Sequence, residues 1–529
     1  MANKEMKNTV QSLMPINKKD SAKIDDIKST KSEVGNSTEN HPINFILNNF
    51  LSDIQSIQNT RMLVIPHVFS WLRSQHDANR KKLAKYASKN EGQTNVYHAS
   101  SAHEASEMLN AIRALDGLGG MRIPETLHRS LFTQLFSEYD AFVGALLTII
   151  YKKKSELLKS ISRQLSFADL LAYEDLNAIK LDMLEKEVET FRRDSYVEQF
   201  GSLEAKFGLK LRNFPEWGEF IEMSQRRNLV VHNGGVVSDQ YFVVCDREGY
   251  VYQERPKIGD TLKLNGEYFS RATIVVSKVA FMLCHTLWRK LFPNEKNIAH
   301  EGANKVIFDL LTDKRWKTAT EIAKFTLTEP MKESISELDL RIRTINTAIA
   351  AKFSGNEDGC KAALKSLDWT ATYRDFKLAL AVLNDDFPAA AAMMKLIGKQ
   401  GELIEELSYH DWPLFHKFRE SIEFLNAYAE VYGISFISEA IRHKTEAVQS
   451  SQAEFDKGME TVDVHPKAVQ STDSEELALA KNAPAKKRAS AKTVDMVGST
   501  TVAKKSTRRK AGVVDSKPKN RLGERGTVD

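Results

Sequence analysis

Three side chains in one short stretch have the types and spacing that chemistry on a phosphate group requires. Arg227 can hold a phosphate through two hydrogen bonds and can offset charge that develops on it. His232 can take or give a proton near neutral pH, and Asn228 lies four residues before it on the same flank of a helix. The stretch therefore predicts a permanent cation, an amide and an imidazole within reach of a common point.

A purely structural role for the same residues is the alternative. A guanidinium on an apolar helix face needs partners, so Arg227 could be a buried cation that pairs with a carboxylate. His232 would then end the helix by capping a carbonyl group. Glu138 and Asp140 could pair with Arg227, orient His232 or do neither, and a solvated carboxylate is the simpler expectation for Glu138.

The residues around this trio predict a helix that ends at a glycine pair. Apolar side chains recur at spacings of about three and four, which is the helical period. Gly234 and Gly235 favour termination. At about 100° per residue, Arg227 falls in the middle of the apolar side and Arg226 points away into solvent. The buried side is expected to carry Phe220, Met223, Val230 and Val231.

The stretch Arg227-Asn228-Leu229-Val230-Val231-His232 resembles the signature of the HEPN (higher eukaryotes and prokaryotes nucleotide-binding) superfamily of ribonucleases. That signature is an arginine, a polar residue, three variable residues and a histidine. The resemblance extends over roughly residues 121–292, about a third of the chain. The segments that resemble bacterial members are Leu127 to Phe132 continuing through Ser137 to Phe142, Val188 to Ser195, and Gly259-Asp260 followed by Tyr268 and a last helix.

The resemblance implies an all-helical domain that forms a homodimer, in which two copies of the motif make one composite, metal-independent endoribonuclease site. The RNA 2′-hydroxyl would attack the adjacent phosphate, with proton transfer by His232 and charge stabilisation by Arg227. Asn228 would position the phosphate or the imidazole. Many nucleases of this family act as toxins or in defence against phages. The alternative is a non-catalytic HEPN platform for dimerisation and docking.

The chain length predicts two or three domains, and the helical periodicity together with the HEPN resemblance implies a mainly α-helical protein. The chain has 529 residues, of which 42% are hydrophobic and 27% charged, as in ordinary globular proteins. We expect a disordered N-terminal tail over residues 1–42 and a helical lead-in over 43–120. A HEPN-like helical bundle over 121–292 and a helical repeat-like domain over 300–445 follow. Residues 446–529 are predicted to be a disordered linker and basic tail.

Within the HEPN-like region, helices are predicted from about Ile123 to Leu158 and from about Asp175 to Phe200. After Gly235 the pattern becomes extended: Tyr241–Cys245 and Tyr250–Tyr252 flank a turn-like stretch. Aromatic and β-branched residues around a turn are typical of a hairpin. The sequence therefore predicts a small β-hairpin insertion.

The region over 300–445 has short Ala- and Leu-rich amphipathic segments with regular breaks. Residues 351–364 match residues 381–394 loosely, at an offset of about 30 residues, near the length of tetratricopeptide units. Such a stack would bind a partner protein or an antitoxin. An ordinary helical bundle is the alternative.

Other classes of chemistry have no support in the sequence. The chain has no phosphate-binding glycine loop, no Cys-x-x-Cys pair and no His-Glu-x-x-His motif, so we expect no metal and no cofactor. The three cysteines, Cys245, Cys284 and Cys360, are widely separated, which fits a reducing cytoplasm. No run of about 18 apolar residues occurs, so no membrane span is predicted.

Positive charge is concentrated at the C-terminus. From Lys481 onward there are 14 basic and 4 acidic residues, whereas the whole chain has a net charge of +5. A polycation of this kind binds nucleic acid without sequence preference, and the alternative is a tail that only aids solubility. The basic clusters that would contact RNA are Lys486, Lys487, Arg488, Arg508, Arg509 and Lys510.

Overall fold

The computed structural model describes residues 41–88, 96–162 and 164–437. Within these ranges the protein is almost entirely α-helical, which confirms the predicted fold class at that level. The predicted basic tail, with its six named lysines and arginines, and nearly all of the predicted N-terminal tail lie outside the described residues.

The N-terminal elements end with the helix that carries the motif. Two strands, β1 (Ala87–Ser88) and β2 (Val96–Tyr97), pair in antiparallel register, with Ala87 opposite Tyr97. The helices are α1 (Pro42–Ala84), α2 (Ala102–Gly120), α3 (Ile123–Lys153), α4 (Phe167–Leu170), α5 (Leu176–Arg193), α6 (Tyr196–Phe207) and α7 (Trp217–His232).

The remaining helices continue to the end of the described chain. They are α8 (Asp239–Arg247), α9 (Gly266–Leu291), α10 (Lys296–Thr312), α11 (Trp316–Thr326), α12 (Glu329–Lys332), α13 (Glu337–Phe353), α14 (Glu357–Lys365), α15 (Arg374–Leu383), α16 (Phe387–Ile397), α17 (Glu406–Asp411) and α18 (Ile422–Tyr432). Short 3-10 helices cover Ser155–Ser160, Pro293–Glu295, Pro413–Phe415 and Phe418–Glu420.

The lead-in region begins with a single helix of 43 residues, α1. Pro42 stands in its first turn, where a missing N–H costs nothing. In its first half, Ile43, Leu47, Phe50 and Ile54 are buried at helical spacing and pack into the core with α3. The first half of α1 therefore packs against α3, whereas the second half is largely exposed.

An aromatic cluster holds α7 against α3 and α6. The Tyr139 and Phe220 rings lie 5.4 Å apart at a steep angle, and Tyr196 lies within 5.4 Å of both. Tyr139 and Phe220 are fully buried. Because edge-to-face aromatic pairs add to the free energy of burial, this cluster fixes the position of the motif helix.

The predicted hairpin is wrong. Residues Asp239–Arg247 form helix α8, whose first turn is capped by the Ser238 side chain. Tyr241, Val244 and Cys245 are buried along one face of this helix. Strand propensity is weak relative to packing, so a Ser cap and a helical face of buried side chains decided the conformation.

Two predicted helix boundaries also needed correction. The α3 helix ends at Lys153 and a 3-10 helix follows over Ser155–Ser160, so the helix is shorter than the predicted 123–158. The predicted helix over 175–200 is broken at Asp194, where Ser195 and Glu198 form a capping box that starts α6.

Two helical hairpins in the C-terminal region have equivalent turns. The Gly355 and Asp385 backbones both adopt left-handed conformations, with φ of 84° and 57°. Asn356 caps α14 through Gly359 N–H, as Asp386 caps α16 through Ala389 N–H. Every backbone hydrogen bond of the first turn has its counterpart 30 positions later. The two turns therefore lie 30 residues apart, and the tetratricopeptide-like repeat itself stays a prediction.

One apolar core runs through the predicted HEPN-like and repeat-like regions of the described chain. A cluster of buried basic side chains lies where the two regions join. Arg343 is 1% exposed and donates to Asn304 Oδ1 at 2.8 Å and to the His300 carbonyl at 3.1 Å. Arg289 donates to the Glu333 carbonyl at 2.7 Å.

Two histidines complete this basic cluster. The Nε2 atom of His300 lies 3.0 Å from the Glu333 carbonyl oxygen. His285 is fully buried, lies against the Phe281 ring at a tilt of 31°, and neither of its ring nitrogens has a hydrogen-bond partner among the described residues. In the described part of the chain, no helix is both long enough and apolar enough to cross a membrane.

Candidate functional site

The motif helix α7 ends at His232, as the glycine pair predicts. Gly234 and Gly235 have φ of 62° and 86°, a conformation that costs glycine little. The N–H groups of Asn233 and Gly235 both donate to the Leu229 carbonyl, at 2.8 and 2.9 Å. This turn closes the helix and leaves its last residue at the surface.

The His232 side chain is exposed, and its imidazole makes no hydrogen bond or ion pair with any described residue. It therefore does not cap a carbonyl, as the structural alternative required. Val231 beside it is 47% exposed, so its predicted burial is wrong. The buried apolar residue in this turn is Leu229, which packs in a small cluster with α8.

Arg227 is half-buried and forms an ion pair with Asp140 of α3, with 3.1 Å between Nη2 and Oδ2. Its Nη1 donates to the Asn228 side-chain oxygen at 3.1 Å. The third donor, Nε, is buried and has no partner among the described residues. The guanidinium is thus held on one side and retains an unused N–H group.

Asp140 is itself held by a third helix. Tyr196 of α6 donates its hydroxyl to Asp140 Oδ1 at 2.7 Å. Burial raises the pKa of Asp140, although the Tyr196 hydrogen bond and the Arg227 charge act in the opposite direction. Burial also raises the pKa of Tyr196 well above its usual value, so this hydroxyl remains a donor.

The structure places the second predicted carboxylate, Glu138, outside this cluster. Glu138 is half-buried and accepts a hydrogen bond from Gln134 on the same helix, and it forms no ion pair with Arg227. Residues two apart on a helix point about 200° apart, so only one of Asp140 and Glu138 can face α7.

The expectation that Arg226 points into solvent is wrong. Its guanidinium donates to Glu222, which is fully buried, and lies 3.9 Å from the centre of the Tyr268 ring. Tyr241 and Tyr268 donate their hydroxyls to the same carboxylate at 2.8 and 2.7 Å. The Glu222 carboxylate thus anchors α7 to α8 and α9, and both of its oxygens are satisfied.

These two networks hold the two adjacent arginines in different ways, and not in the way that the helical wheel predicts. The pKa of Arg226 is raised by Tyr268 and Glu222 beyond its usual value, although burial opposes this. Its guanidinium also donates to the Lys263 carbonyl, so it is committed to the fold. Arg227 is the more exposed of the two, at 24% of its side chain against 13% for Arg226, which makes it the better ligand for a phosphate.

One residue of the site was missed at the sequence level. Arg129 of α3 donates to the Gly234 carbonyl at 2.8 Å and so holds the turn that follows His232. A signal for it exists, because Arg129, Phe136 and Asp140 recur at spacings of seven and four and therefore share one face of α3. The Arg227 guanidinium lies 5.9 Å from the centre of the Phe136 ring, on that same face.

The geometry brings Arg227, Asn228 and Asp140 together and leaves His232 apart. Five residues advance a helix by about 7.5 Å and turn it by about 140°, so Arg227 and His232 of one chain face different directions. A phosphate that contacts both would need Arg227 to leave Asp140, or groups from a second copy. No described hydrogen bond joins Arg227 to His232, so the common point within a single chain stays a prediction.

The described residues contain no group of three or more His, Cys, Asp or Glu side chains that could hold a metal ion. Cys245, Cys284 and Cys360 are buried and free. Burial raises the pKa of Cys245 to about 12, so its thiol is unsuited to act as a nucleophile. Comparison of the chain with models of known families, with curated proteins and with solved structures finds no match.

Proposed function

We propose that the protein is a HEPN-type, metal-independent endoribonuclease whose site is built from Arg227, Asn228 and His232. The observation that carries the proposal is the imidazole of His232, which is exposed and has no partner among the described residues, at the end of the helix that also presents Arg227. A side chain with no structural partner in a turn held by Arg129 is suited to a role outside the fold.

In the proposed reaction, the RNA 2′-oxygen forms a bond to the adjacent phosphorus and the bond from phosphorus to the 5′-oxygen breaks. The 2′-hydroxyl gives its proton to a neutral imidazole, and the leaving 5′-oxygen takes a proton from an imidazolium. The products are a 2′,3′-cyclic phosphate and a 5′-hydroxyl. Because one imidazole cannot hold both states in one step, two copies of His232 from a homodimer serve best.

Arg227 offsets the charge of the phosphorane through its guanidinium, and Asn228 positions either the phosphate or the guanidinium that it already contacts. Asp140 and Tyr196 fix the direction of Arg227. These two residues do not contact the reacting atoms, so they are positioning residues. The helical hairpins α13 to α16 would carry a partner protein or antitoxin.

A second function is favoured by one specific contact. The Arg227–Asp140 ion pair is what a structural arginine would form, and a non-catalytic platform for dimerisation and docking would keep it. Under that function, Arg227→Ala lowers the melting temperature clearly and no substitution affects RNA. Under the nuclease function, Arg227→Ala and His232→Ala both remove cleavage.

The test is the end chemistry of a labelled single-stranded RNA incubated in EDTA with the full chain. The variants are Arg227→Ala and His232→Ala. Arg193→Ala and His103→Ala serve as matched controls because both residues are exposed and lie in other helices. We expect cyclic phosphate ends from the native chain and from both controls, and none from the two motif variants.

A substrate with a single 2′-deoxynucleotide at the cut position should resist cleavage there, since it lacks the nucleophile. Equal cutting of DNA and RNA would contradict the mechanism. Equal background from all five proteins, together with lower melting temperatures for the two motif variants, would favour the docking platform instead.

A further inference from the structure

The outer half of α1 projects from the core as part of a two-helix arm with α2. Beyond residue 60 only Ile65 and Leu83 of α1 are buried, and Ala111 is the one buried residue of α2 in the described chain. Residues 62–84 would extend about 35 Å as a helix. Most of this length is therefore available to a ligand.

The inner part of the arm exposes large apolar side chains on several sides of α1. Leu63 is 67% exposed, Phe69 54% and Trp71 48%. A helix with apolar residues around its circumference requires a covering partner. A shallow cavity of about 360 Å³ is lined by Leu63, Val64, His67, Val68, Trp71 and Ile123.

The outer part of the arm is strongly basic. Five cations between residues 73 and 85 are exposed, and none forms an ion pair or a side-chain hydrogen bond with a described residue. The acidic residue of this stretch, Asp77, lies 3.5 Å from His76. Glu107 of α2 is close enough to offset part of the charge of Lys82 and Lys85. The five cations are Arg73, Arg80, Lys81, Lys82 and Lys85.

We propose that the outer half of α1 is a binding element for single-stranded RNA, in which Phe69 stacks on a base and Arg73, Arg80 and Lys81 contact phosphates. Aromatic side chains beside a line of cations are the combination that binds single strands without sequence preference. Phe69, Arg73 and Arg80 recur at spacings of four and seven, so they share one face of the helix.

The charge distribution favours RNA over a second copy of the arm. Two arms packed parallel would place the same cations against each other. Two arms packed antiparallel would place Arg73 and Arg80 of one copy against the apolar residues 62–69 of the other. Both arrangements desolvate unpaired cations, whereas an RNA backbone supplies the missing negative charge.

The outer half of α1 also lies near the candidate site, and helix α3 connects the two. Ile123 at the start of α3 lines the cavity beside Trp71, and Arg129, about 9 Å further along α3, holds the turn after His232. The inference rests on the proposed function for the choice of RNA as the nucleic acid, and it adds a substrate-binding region separate from the reacting groups.

The test is the binding of a labelled single-stranded RNA of about 20 nucleotides, measured by fluorescence anisotropy across a salt series. All measurements use the full chain with His232→Ala, so that cleavage does not interfere. The charge variant is Arg73→Ala, Arg80→Ala and Lys81→Ala together. The matched control removes three exposed lysines elsewhere: Lys361→Ala, Lys365→Ala and Lys377→Ala.

We expect the charge variant to reduce the slope of log K against log salt by about 2, since each lost contact with a single strand contributes about 0.7. Phe69→Ala should weaken binding at least about fivefold and leave the slope unchanged. The lysine control should change the affinity and the slope less than the arm variants do. Photo-crosslinking of the same RNA should map to Phe69.

Unchanged affinity and slope in both arm variants would overturn the inference, and cleavage lost only in Arg227 and His232 variants would still leave the proposed function standing. Conversely, arm-dependent binding by a native chain that cuts no RNA would refute the nuclease while supporting the arm. A change from dimer to monomer on Phe69→Ala by light scattering, with RNA binding intact, would assign the arm to a second copy and overturn the inference.

Discussion

Arg227 of α7 and Asp140 of α3 are joined by an ion pair of 3.1 Å, and a Tyr196 hydrogen bond holds Asp140 from the other side. Three helices thus define where the guanidinium lies. The pair is only half-buried, so its strength lies between that of a surface ion pair and that of a fully desolvated one. The same contact that orients the arginine also restrains it.

Asp140→Asn should reduce the rate of RNA cleavage by roughly tenfold to a hundredfold, because Arg227 loses its fixed direction. The free energy of unfolding should fall by only about 1 kcal/mol, since an amide can still accept the Tyr196 hydrogen bond. Cleavage kinetics and urea unfolding measure the two effects. Glu138→Gln is the matched control and should alter neither; a large rate loss in the control would assign the effect to helix α3 generally.

Arg129→Ala should lower kcat by about tenfold with little change in KM, because the turn after His232 loses its contact with α3. Arg129→Lys should restore part of kcat, since an ammonium can reach the same carbonyl. Single-turnover kinetics separate this effect from substrate binding. A rise in KM with unchanged kcat would instead make Arg129 a contact for RNA.

Glu222→Gln should destabilise the fold by about 3–5 kcal/mol, because a buried Arg226 would lose its counter-charge. Tyr268→Phe removes one hydrogen bond from the same carboxylate and should cost about 1 kcal/mol. Chemical unfolding of both variants gives the comparison. Equal costs for the two substitutions would show that the charge of Arg226 is balanced elsewhere.

Acid should weaken the junction between the two helical regions. Burial, with the nearby Arg343, lowers the pKa of His285 to about 3, and burial lowers the pKa of His300 to about 4. In the unfolded chain both titrate near 6.5, so as the pH falls below 6.5 the unfolded state binds protons that the folded state does not. Stability is therefore complete above pH 6.5 and is lost on acidification, by roughly 1.4 kcal/mol per pH unit for each histidine.

His285→Phe tests this pH dependence directly. The phenyl ring can replace the imidazole that lies against Phe281, and it cannot take up a proton. Between pH 4.5 and 6, the slope of the free energy of unfolding against pH should be smaller than in the native chain by about 1.4 kcal/mol per pH unit, which is the contribution of one proton. His103→Ala, at an exposed position, should leave the slope unchanged. An unaltered slope in His285→Phe would mean that other groups cause the acid sensitivity.

The motif helix and its end were predictable because both depend on local rules. The spacing of Phe220 and Met223 sets the buried face, and Gly234 and Gly235 supply the left-handed backbone that ends it. These signals lie within one helix, so they do not depend on which elements pack nearby.

The predictions that were wrong concern residues whose partners come from distant parts of the sequence. Arg226 is buried because Glu222, Tyr241 and Tyr268 converge on it, and a helical wheel contains only one of these residues. The hairpin prediction was wrong for the same reason. Val244 and Cys245 are buried when residues 239–247 form a helix, and strand propensity does not predict that burial. Arg227 and Asp140 are likewise far apart in the sequence, so the sequence alone does not decide whether they pair.

The matching turns at Gly355 and Asp385 have an evolutionary consequence. Lys352, before the first turn, pairs with Asp385 of the second turn and donates to the Leu383 carbonyl. The Lys352 ammonium thus joins the two turns across the 30 residues that separate them. An insertion or deletion between the turns would break this pairing, so we expect the length of the intervening chain to be restricted during evolution.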